Sequence, residues 1–424
     1  MTSAREELAA NWPMIVVAFV LVFLSFGVPN FSMPFIYGEA MEEFGWTNTQ
    51  ANLLATAKFL IGAVSALAMG ILIDKVGGRW TVLAGAATGG LAMAVFFYAT
   101  NLPIYYLAGG LMGFSAASIV AAMKLIVARV FTTNQGLAIG TVLTATSFGN
   151  VVMPLAWPQL LEYWNWREIL LMLSLGPFLI AVPAWLIFLA KDSRAREIIS
   201  SPTKTLSNRS IWEHFRMISR ERAFWMIATG VFLVSAVDQA LMQNYVSFLR
   251  FDKGMDLRTT ISWSGMLLGL IAIVSKVASG WIFDRFSIRG IAFFWGMLAV
   301  SIFLGLPVAG TGTLLLFIVV RGVAHGGLIV DVPVLTKHFF GMERIGMTMG
   351  VLSVCVNLGY AVGPPVFGWF ADTYGSFSFG MVVFGIVAAI GTLLLIPIKP
   401  RYWTSPGRRE PMDDATGDPA TATS

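Results

Sequence analysis

Seven ionisable side chains fall inside long apolar runs of this 424-residue chain: Lys58, Lys124, Asp238, Lys276, Arg321, His325 and Asp331. An apolar run excludes water, so a charge placed there needs a partner or a function. The residue types point to two chemistries. Lysine and arginine hold a carboxylate or another anion through charge-assisted hydrogen bonds. Aspartate and histidine take up and release protons, histidine near neutral pH without any shift. Leaving the histidine neutral, the set has four cations and two carboxylates, an excess that calls for an anionic partner.

Helical spacing sorts these residues by face. Arg321 and His325 are four apart and share one side of a helix. Asp331 lies about 80° round from Arg321 at 100° per residue. It can line a cavity or form a salt bridge to a loop, and both readings stay open. Asp238 and Tyr245 are seven apart and share a face. Asp238 reads as a proton or counter-ion site, with an ion pair to Lys58 or Lys276 as the structural alternative. Lys58 sits mid-run, too deep for its stem to reach water, so it must face a cavity. Lys124 is close to the end of its run and could instead extend to the interface. Lys276 lies two turns before Asp284. Neutral polar residues add to the set: Asn30, Ser32, Ser147, Asn150, Gln239, Gln243, Asn357 and Tyr360. Each can line the same cavity or hydrogen-bond a neighbouring helix.

Positioning these groups requires membrane helices. The chain is 57% hydrophobic and 12% charged, about half the charge of a soluble domain, which excludes a soluble fold. Twelve runs have the roughly 20 apolar residues that a bilayer core demands: 13–36, 48–73, 79–100, 103–128, 136–159, 167–190, 223–248, 259–283, 289–310, 312–336, 345–369 and 376–398. Lipid offers the backbone no partners, so these are helices. An even number of spans puts both termini on one side. With cytoplasmic termini, 20 Lys and Arg lie inside and 4 outside, which sets the orientation and places the protein in the cytoplasmic membrane. The first run is an uncleaved span, having no small-residue cleavage pattern. The net charge of +5 comes from the inner loops and does not indicate nucleic acid. The single cysteine, Cys355, rules out an internal disulfide. Within the polar stretch 191–222, residues Ile211 to Phe215 are compatible with a short surface helix or a simple tether. The tail 401–424 has a disordered composition.

One stretch occurs twice. Gly70-x-x-x-Asp74-Lys75-x-Gly77-x-Arg79 returns as Gly280-x-x-x-Asp284-Arg285-x-Ser287-x-Arg289, and 284 − 74 = 210. Gly136, Gly140, Gly149 and Pro154 return at the same offset as Gly346, Gly350, Gly359 and Pro364. Charged residues in register over this distance mark an internal duplication. Parallel copies in a membrane predict two bundles related by an axis along the membrane normal, with a site between them.

The repeated stretch resembles the loop between spans 2 and 3 of the major facilitator superfamily, with Ser287 departing from the family's glycine. The resemblance implies an all-α integral membrane fold of twelve helices in two six-helix bundles. It also implies a gate on the cytoplasmic side, where Asp74 meets the start of span 11 and, by the repeat, Asp284 meets the start of span 5. Glu42-Glu43-Phe44-Gly45-Trp46-Thr47, and Phe131 with Gly136-Leu137-Ala138-x-Gly140, resemble the monocarboxylate transporters and oxalate/formate exchangers. In those groups a substrate-binding arginine in span 8 lies four residues before the second motif glycine; here that residue is Lys276. The aspartate one turn earlier is replaced by Ala272. The basic residue that the oxalate exchangers carry in span 11 is absent, leaving Asn357 and Tyr360.

The division expected is a first bundle over 1–190, a linker over 191–222, a second bundle over 223–400 and a tail over 401–424. The function expected is secondary transport of a small organic anion, a monocarboxylate above all, in symport with a proton and by a monomer without cofactor or metal. Lys276, Arg321, Lys58, Asn357, Tyr360 and Asn30 are expected at the substrate, and Asp238, His325 and Asp331 at the proton. An oxalate/formate-type exchanger and a multidrug exporter are the alternatives. A membrane sensor would need a folded signalling domain, for which no loop is long enough. An embedded enzyme would need a nucleophile with its base or a metal cluster, for which three histidines and one cysteine offer no suitable spacing.

Overall fold

A computed structural model describes residues 4–131, 135–192, 199, 216, 218–340 and 345–401. Eleven helical segments among them are long and apolar enough to cross a bilayer. One further helix, Asn48–Val76, has 29 residues, or about 43 Å at 1.5 Å per residue. With it the spans number twelve, in two bundles of six. The proposed surface helix at Ile211–Phe215 and the tail beyond residue 401 lie outside the described residues.

The spans follow the runs read from sequence closely. Spans 3, 4 and 5 are Gly78–Phe97, Leu102–Val130 and Gln135–Leu160. Three differences have physical causes. Span 1 does not end at residue 36; it continues as helix to Phe44 through Glu39, Glu42 and Glu43. Hydropathy falls there, but helix formation needs no apolarity, and the helix stops only at Gly45 with φ 66°. Span 9 closes at Gly305, two residues before Pro307. Span 10 is not one helix: Thr311–Leu328 is followed, after Ile329 and Val330, by Asp331–Phe340. Pro333 explains the break, since it has no N–H for the carbonyl of residue 329 and its ring crowds that carbonyl.

The duplication is visible in the element boundaries. Span 2 ends at Val76 and span 8 at Phe286; span 3 begins at Gly78 and span 9 at Ile288. Span 4 ends at Val130 and the broken span 10 at Phe340; span 5 begins at Gln135 and span 11 at Ile345. Each pair is 210 apart. The turn residues also correspond: Gly77 has φ 84° and Ser287 has φ 50°. Ser287 is the one non-glycine at positive φ among the described residues. The repeat therefore demands a glycine-type backbone from a serine.

Within each half, span 2 packs on span 4, and span 8 on span 10. Between halves, span 2 packs on span 11 and span 5 on span 8, with span 1 against span 7. The 210 offset turns the first of these interfaces into the second. Glycines permit the close crossings: a Cβ on Gly149 would lie 2.4 Å from the carbonyl of Gly27, and one on its repeat Gly359 would lie 2.5 Å from the carbonyl of Phe232.

Candidate functional site: a buried ion cluster and a buried lysine

Span 7 (Arg222–Asp252) is the most enclosed of those eleven segments, and Asp238 near its middle is only 1% exposed. Two residues of span 10 reach it. Arg321 Nη2 donates to Asp238 Oδ1 at 2.7 Å and to the Asp238 carbonyl at 2.8 Å. His325 Nδ1 lies 3.0 Å from both carboxylate oxygens. The four-residue spacing of Arg321 and His325 puts both on one face, as expected from sequence, and that face meets Asp238. The partner of Asp238 is therefore Arg321 with His325, not Lys58 or Lys276. Arg321, expected at the substrate, has one nitrogen committed to this pair. Its Nε and Nη1 are buried without a hydrogen-bond partner.

Asp331 is also buried, at the first turn of the second piece of span 10. Free N–H groups at such a turn favour an anion. Its Oδ2 accepts a hydrogen bond from Trp295 Nε1 of span 9 at 2.8 Å. Among the described residues Asp331 forms no salt bridge to a loop. Tyr360 of span 11 lies near Asp238, Asp331 and Gln239. Gln243 Nε2 donates to Gln239 Oε1 at 3.1 Å, and Tyr37 Oη donates to Gln243 Oε1 at 3.0 Å. A polar file thus runs from span 1 through span 7 to span 11.

Lys58 belongs to the other half. It is 3% exposed. Its Nζ donates to Asn30 Oδ1, lies 3.4 Å from Met33 Sδ and stands 4.8 Å above the Phe59 ring. No carboxylate lies within ion-pair distance of it among the described residues. Next to it, Phe59 meets Tyr360 edge-on at 5.0 Å across the boundary between halves. The repeat maps Phe59 onto Gly269 and Tyr360 onto Asn150, and those two also touch, since a Cβ on Gly269 would be 2.7 Å from the Asn150 carbonyl. The aromatic pair therefore occupies one of two contact positions between the halves that the repeat relates to one another.

The remaining expected residues are distributed elsewhere. Lys276 of span 8 is half-buried, and its charged neighbour is Lys124 of span 4. Asn357 Nδ2 donates to the Ser353 carbonyl of its own helix at 2.8 Å. In the repeated motif, Lys75, Arg285 and Arg289 are exposed, and Arg79 is half-buried over Trp80 at 5.1 Å. Arg285 stacks on Trp281 at 5.8 Å, and Gly280 has open space around it. Asp284 is close to His338, whose Nδ1 lies 2.9 Å from Ser287 Oγ. Burial and then Lys337 push the His338 pKa down, with Asp284 opposing them. The surroundings of Gly70 and Gly136, the side chains of Asp74 and Gln135, and those of residues 341–347 lie outside the described residues, and the expected gate contacts lie there with them.

Trp295, Tyr37 and Gln243 escaped the sequence reading of the site, or entered it without a partner. An indole or a phenol in an apolar run looks like core, and only the crossing of helices shows what its polar tip meets.

Comparisons with known proteins agree with this architecture. The family model described as Major Facilitator Superfamily matches residues 15–294 and 258–419. Monocarboxylate transporter 13 of Bos taurus is 26% identical over 416 residues, covering 96% of this chain and 93% of its own. Monocarboxylate transporter 12 of Mus musculus is 25% identical over 345 residues, covering 74% and 70%. Among solved structures, a bacterial homologue of the human lysosomal transporter Spinster, inward-facing and unoccupied, superposes with a TM-score of 0.73 at 16% identity. That alignment covers 93% of this chain and 98% of the homologue. The nucleoside transporter NupG gives 0.73 at 13% identity, covering 91% and 99%.

Proposed function

Since this chain belongs to the major facilitator superfamily and is related to monocarboxylate transporters, we propose that it moves a small organic anion, a monocarboxylate above all, together with a proton. The observation that carries this reading is Lys58. A buried ammonium without a carboxylate is costly unless an anion visits it, and the substrate carboxylate supplies that anion. The Phe59–Tyr360 pair then offers an apolar edge to the body of the acid. Lys276, the position where the resembled families hold the carboxylate, and its neighbour Lys124 provide cations on the side of the termini. On the opposite half, Asp238 and His325 form the proton-exchanging pair, with Arg321 and Asp331 beside them. Alternating access exposes this centre to one side of the membrane and then the other. The 20-to-4 distribution of basic residues supports cytoplasmic termini in a cytoplasmic membrane.

A multidrug exporter is the weaker reading, because an unpaired buried cation disfavours neutral hydrophobic cargo. An oxalate/formate-type exchanger shares the anion chemistry but would need no pH gradient. Uptake of a panel of radiolabelled mono- and dicarboxylates into proteoliposomes, with and without an imposed pH gradient, tests all three. Accumulation of a monocarboxylate only with the gradient supports the proposal. Gradient-independent exchange points to the second reading, and no carboxylate uptake at all overturns the first two.

A further inference from the structure

On the face opposite the termini, five residues form two cross-half contacts that the repeat relates to one another. Asp372, at the end of span 11, caps the first turn of span 2 in the other half. Its Oδ1 accepts from the Asn48 backbone N–H at 2.8 Å and from Asn48 Nδ2 at 2.9 Å. Its Oδ2 accepts from the Thr49 backbone N–H at 2.8 Å and from Thr49 Oγ1 at 2.6 Å. Glu162, just after span 5, forms an ion pair with Arg258 at the start of span 8. Here 258 − 48 = 210 and 372 − 162 = 210, so acid occupies equivalent positions in the two halves and so does the group it binds.

We propose that Asp372 and Glu162 are paired latches that hold the two halves shut on this face, and that their release opens it during the transport cycle. The proposal rests on the alternating-access reading above. Three physical points favour it. The first-turn N–H groups of span 2 have no partner within their own helix, so a carboxylate from the other half satisfies them and meets the positive end of the helix dipole. Both Asp372 and Arg258 are exposed, so water can replace the bonds when they part. The buried Asp238–Arg321 pair has no such replacement and is unsuited to breaking once per cycle. Finally, the latches sit on both interfaces, span 2 with span 11 and span 5 with span 8, so their release lets the halves rock as bodies.

Other ties cross the same face without recurring. Arg250 pairs with Glu39 at 2.8 Å and Glu42 at 3.0 Å, but the repeat places Ala40 opposite Arg250 and Leu249 opposite Glu39. The symmetric pair is therefore the feature that the duplication retains in kind.

The test is a distance measurement on the full chain in nanodiscs. Spin labels go on Tyr98→Cys and Thr311→Cys in a Cys355→Ser background. Both label sites are exposed, lie on this face in opposite halves and take no part in the latch contacts. The parent should show one short distance. Asp372→Asn places an amide N–H₂ against donors and should raise the long-distance population relative to the short one by on the order of tenfold, the factor that about 1.4 kcal/mol produces. Glu162→Gln should shift it less, and the double variant more than either. Thr49→Ala removes one of the four contacts without touching a charge. It should shift the distribution in the same direction, and it decides the matter if Asp372→Asn does not fold. An unchanged distribution in well-folded variants overturns the latch. The readout needs no substrate: a protein that shifts as expected yet takes up no carboxylate refutes the substrate reading and leaves the latch standing.

Discussion

Lys58 and Asp238 are both buried charges, but their surroundings assign them different work. Asp238 has its charge matched by Arg321, with His325 also within 3.0 Å, whereas Lys58 has neutral oxygen and sulfur neighbours. A charge-assisted hydrogen bond to an incoming carboxylate is worth about 1.5–3 kcal/mol. Lys58→Gln should therefore weaken carboxylate binding by roughly ten- to a hundredfold, measured as the affinity of the purified protein for a transported acid. Lys276→Gln should weaken binding too if the family position is retained, while Lys276→Arg should preserve it. Unchanged affinity in both glutamine variants would remove the anion site from both lysines. At this scale the sequence was informative about identity and silent about pairing. An ionisable residue in an apolar run declares itself. Which residue it meets depends on how spans 7 and 10 cross, and 83 positions separate Asp238 from Arg321.

Span 10 shows what an element adds. Its first piece brings Arg321 and His325 to Asp238, and its second begins at Asp331, after a break that hydropathy does not register because Ile329 and Val330 are as apolar as their neighbours. Pro333 was the available signal, and a reading by apolar run length passed over it. The ion pair joins span 10 to span 7, so Asp238→Ala should strand a buried guanidinium and lower stability by about 3–5 kcal/mol. Adding Arg321→Met should recover much of that loss, since a buried pair replaced by apolar groups is often close to neutral. Thermal unfolding in detergent of the two single variants and the double reads this directly, and additive losses would show that the pair is not coupled.

Past the membrane-crossing part of span 10, Thr311–Leu328, His338 makes a pH prediction. Burial and Lys337 hold the His338 pKa below its ordinary value in the folded protein. The unfolded chain then binds the proton more readily, so the contribution to stability is complete above the ordinary histidine pKa and is lost as pH falls through and below it. The melting temperature of the parent should fall between about pH 7 and pH 5, and His338→Gln should flatten that slope. An equal slope in the variant would assign the effect to other groups.

The whole molecule was the most legible level. A charged motif repeating at 210 implies two equivalent halves before any helix is drawn, and the boundaries at Val76 and Phe286, Gly78 and Ile288, Val130 and Phe340 keep that offset. Less legible was where the halves touch. Contacts such as Phe59 with Tyr360 and Thr56 Oγ1 with the Ala361 carbonyl at 2.6 Å join residues about 300 positions apart, and no local pattern encodes them. Those contacts, with the Asp372 cap, also imply that the connection over 191–222 is not what holds the halves together. Ile199 within it is buried, its carbonyl 3.2 Å from where a Cβ on Gly78 would lie, so a cut beyond it leaves this anchor with the first half. The pair 1–205 and 206–424, expressed together as separate chains, should therefore copurify and restore carboxylate uptake to a measurable fraction of the intact protein. Either piece alone should restore none, because each carries only one side of the centre: Lys58 lies on the first, and Asp238, Arg321 and His325 lie on the second. Two stably inserted pieces that neither copurify nor transport would mean that the chain between them does more than connect, and the proposed division into bundles at 190 and 223 would have to be abandoned.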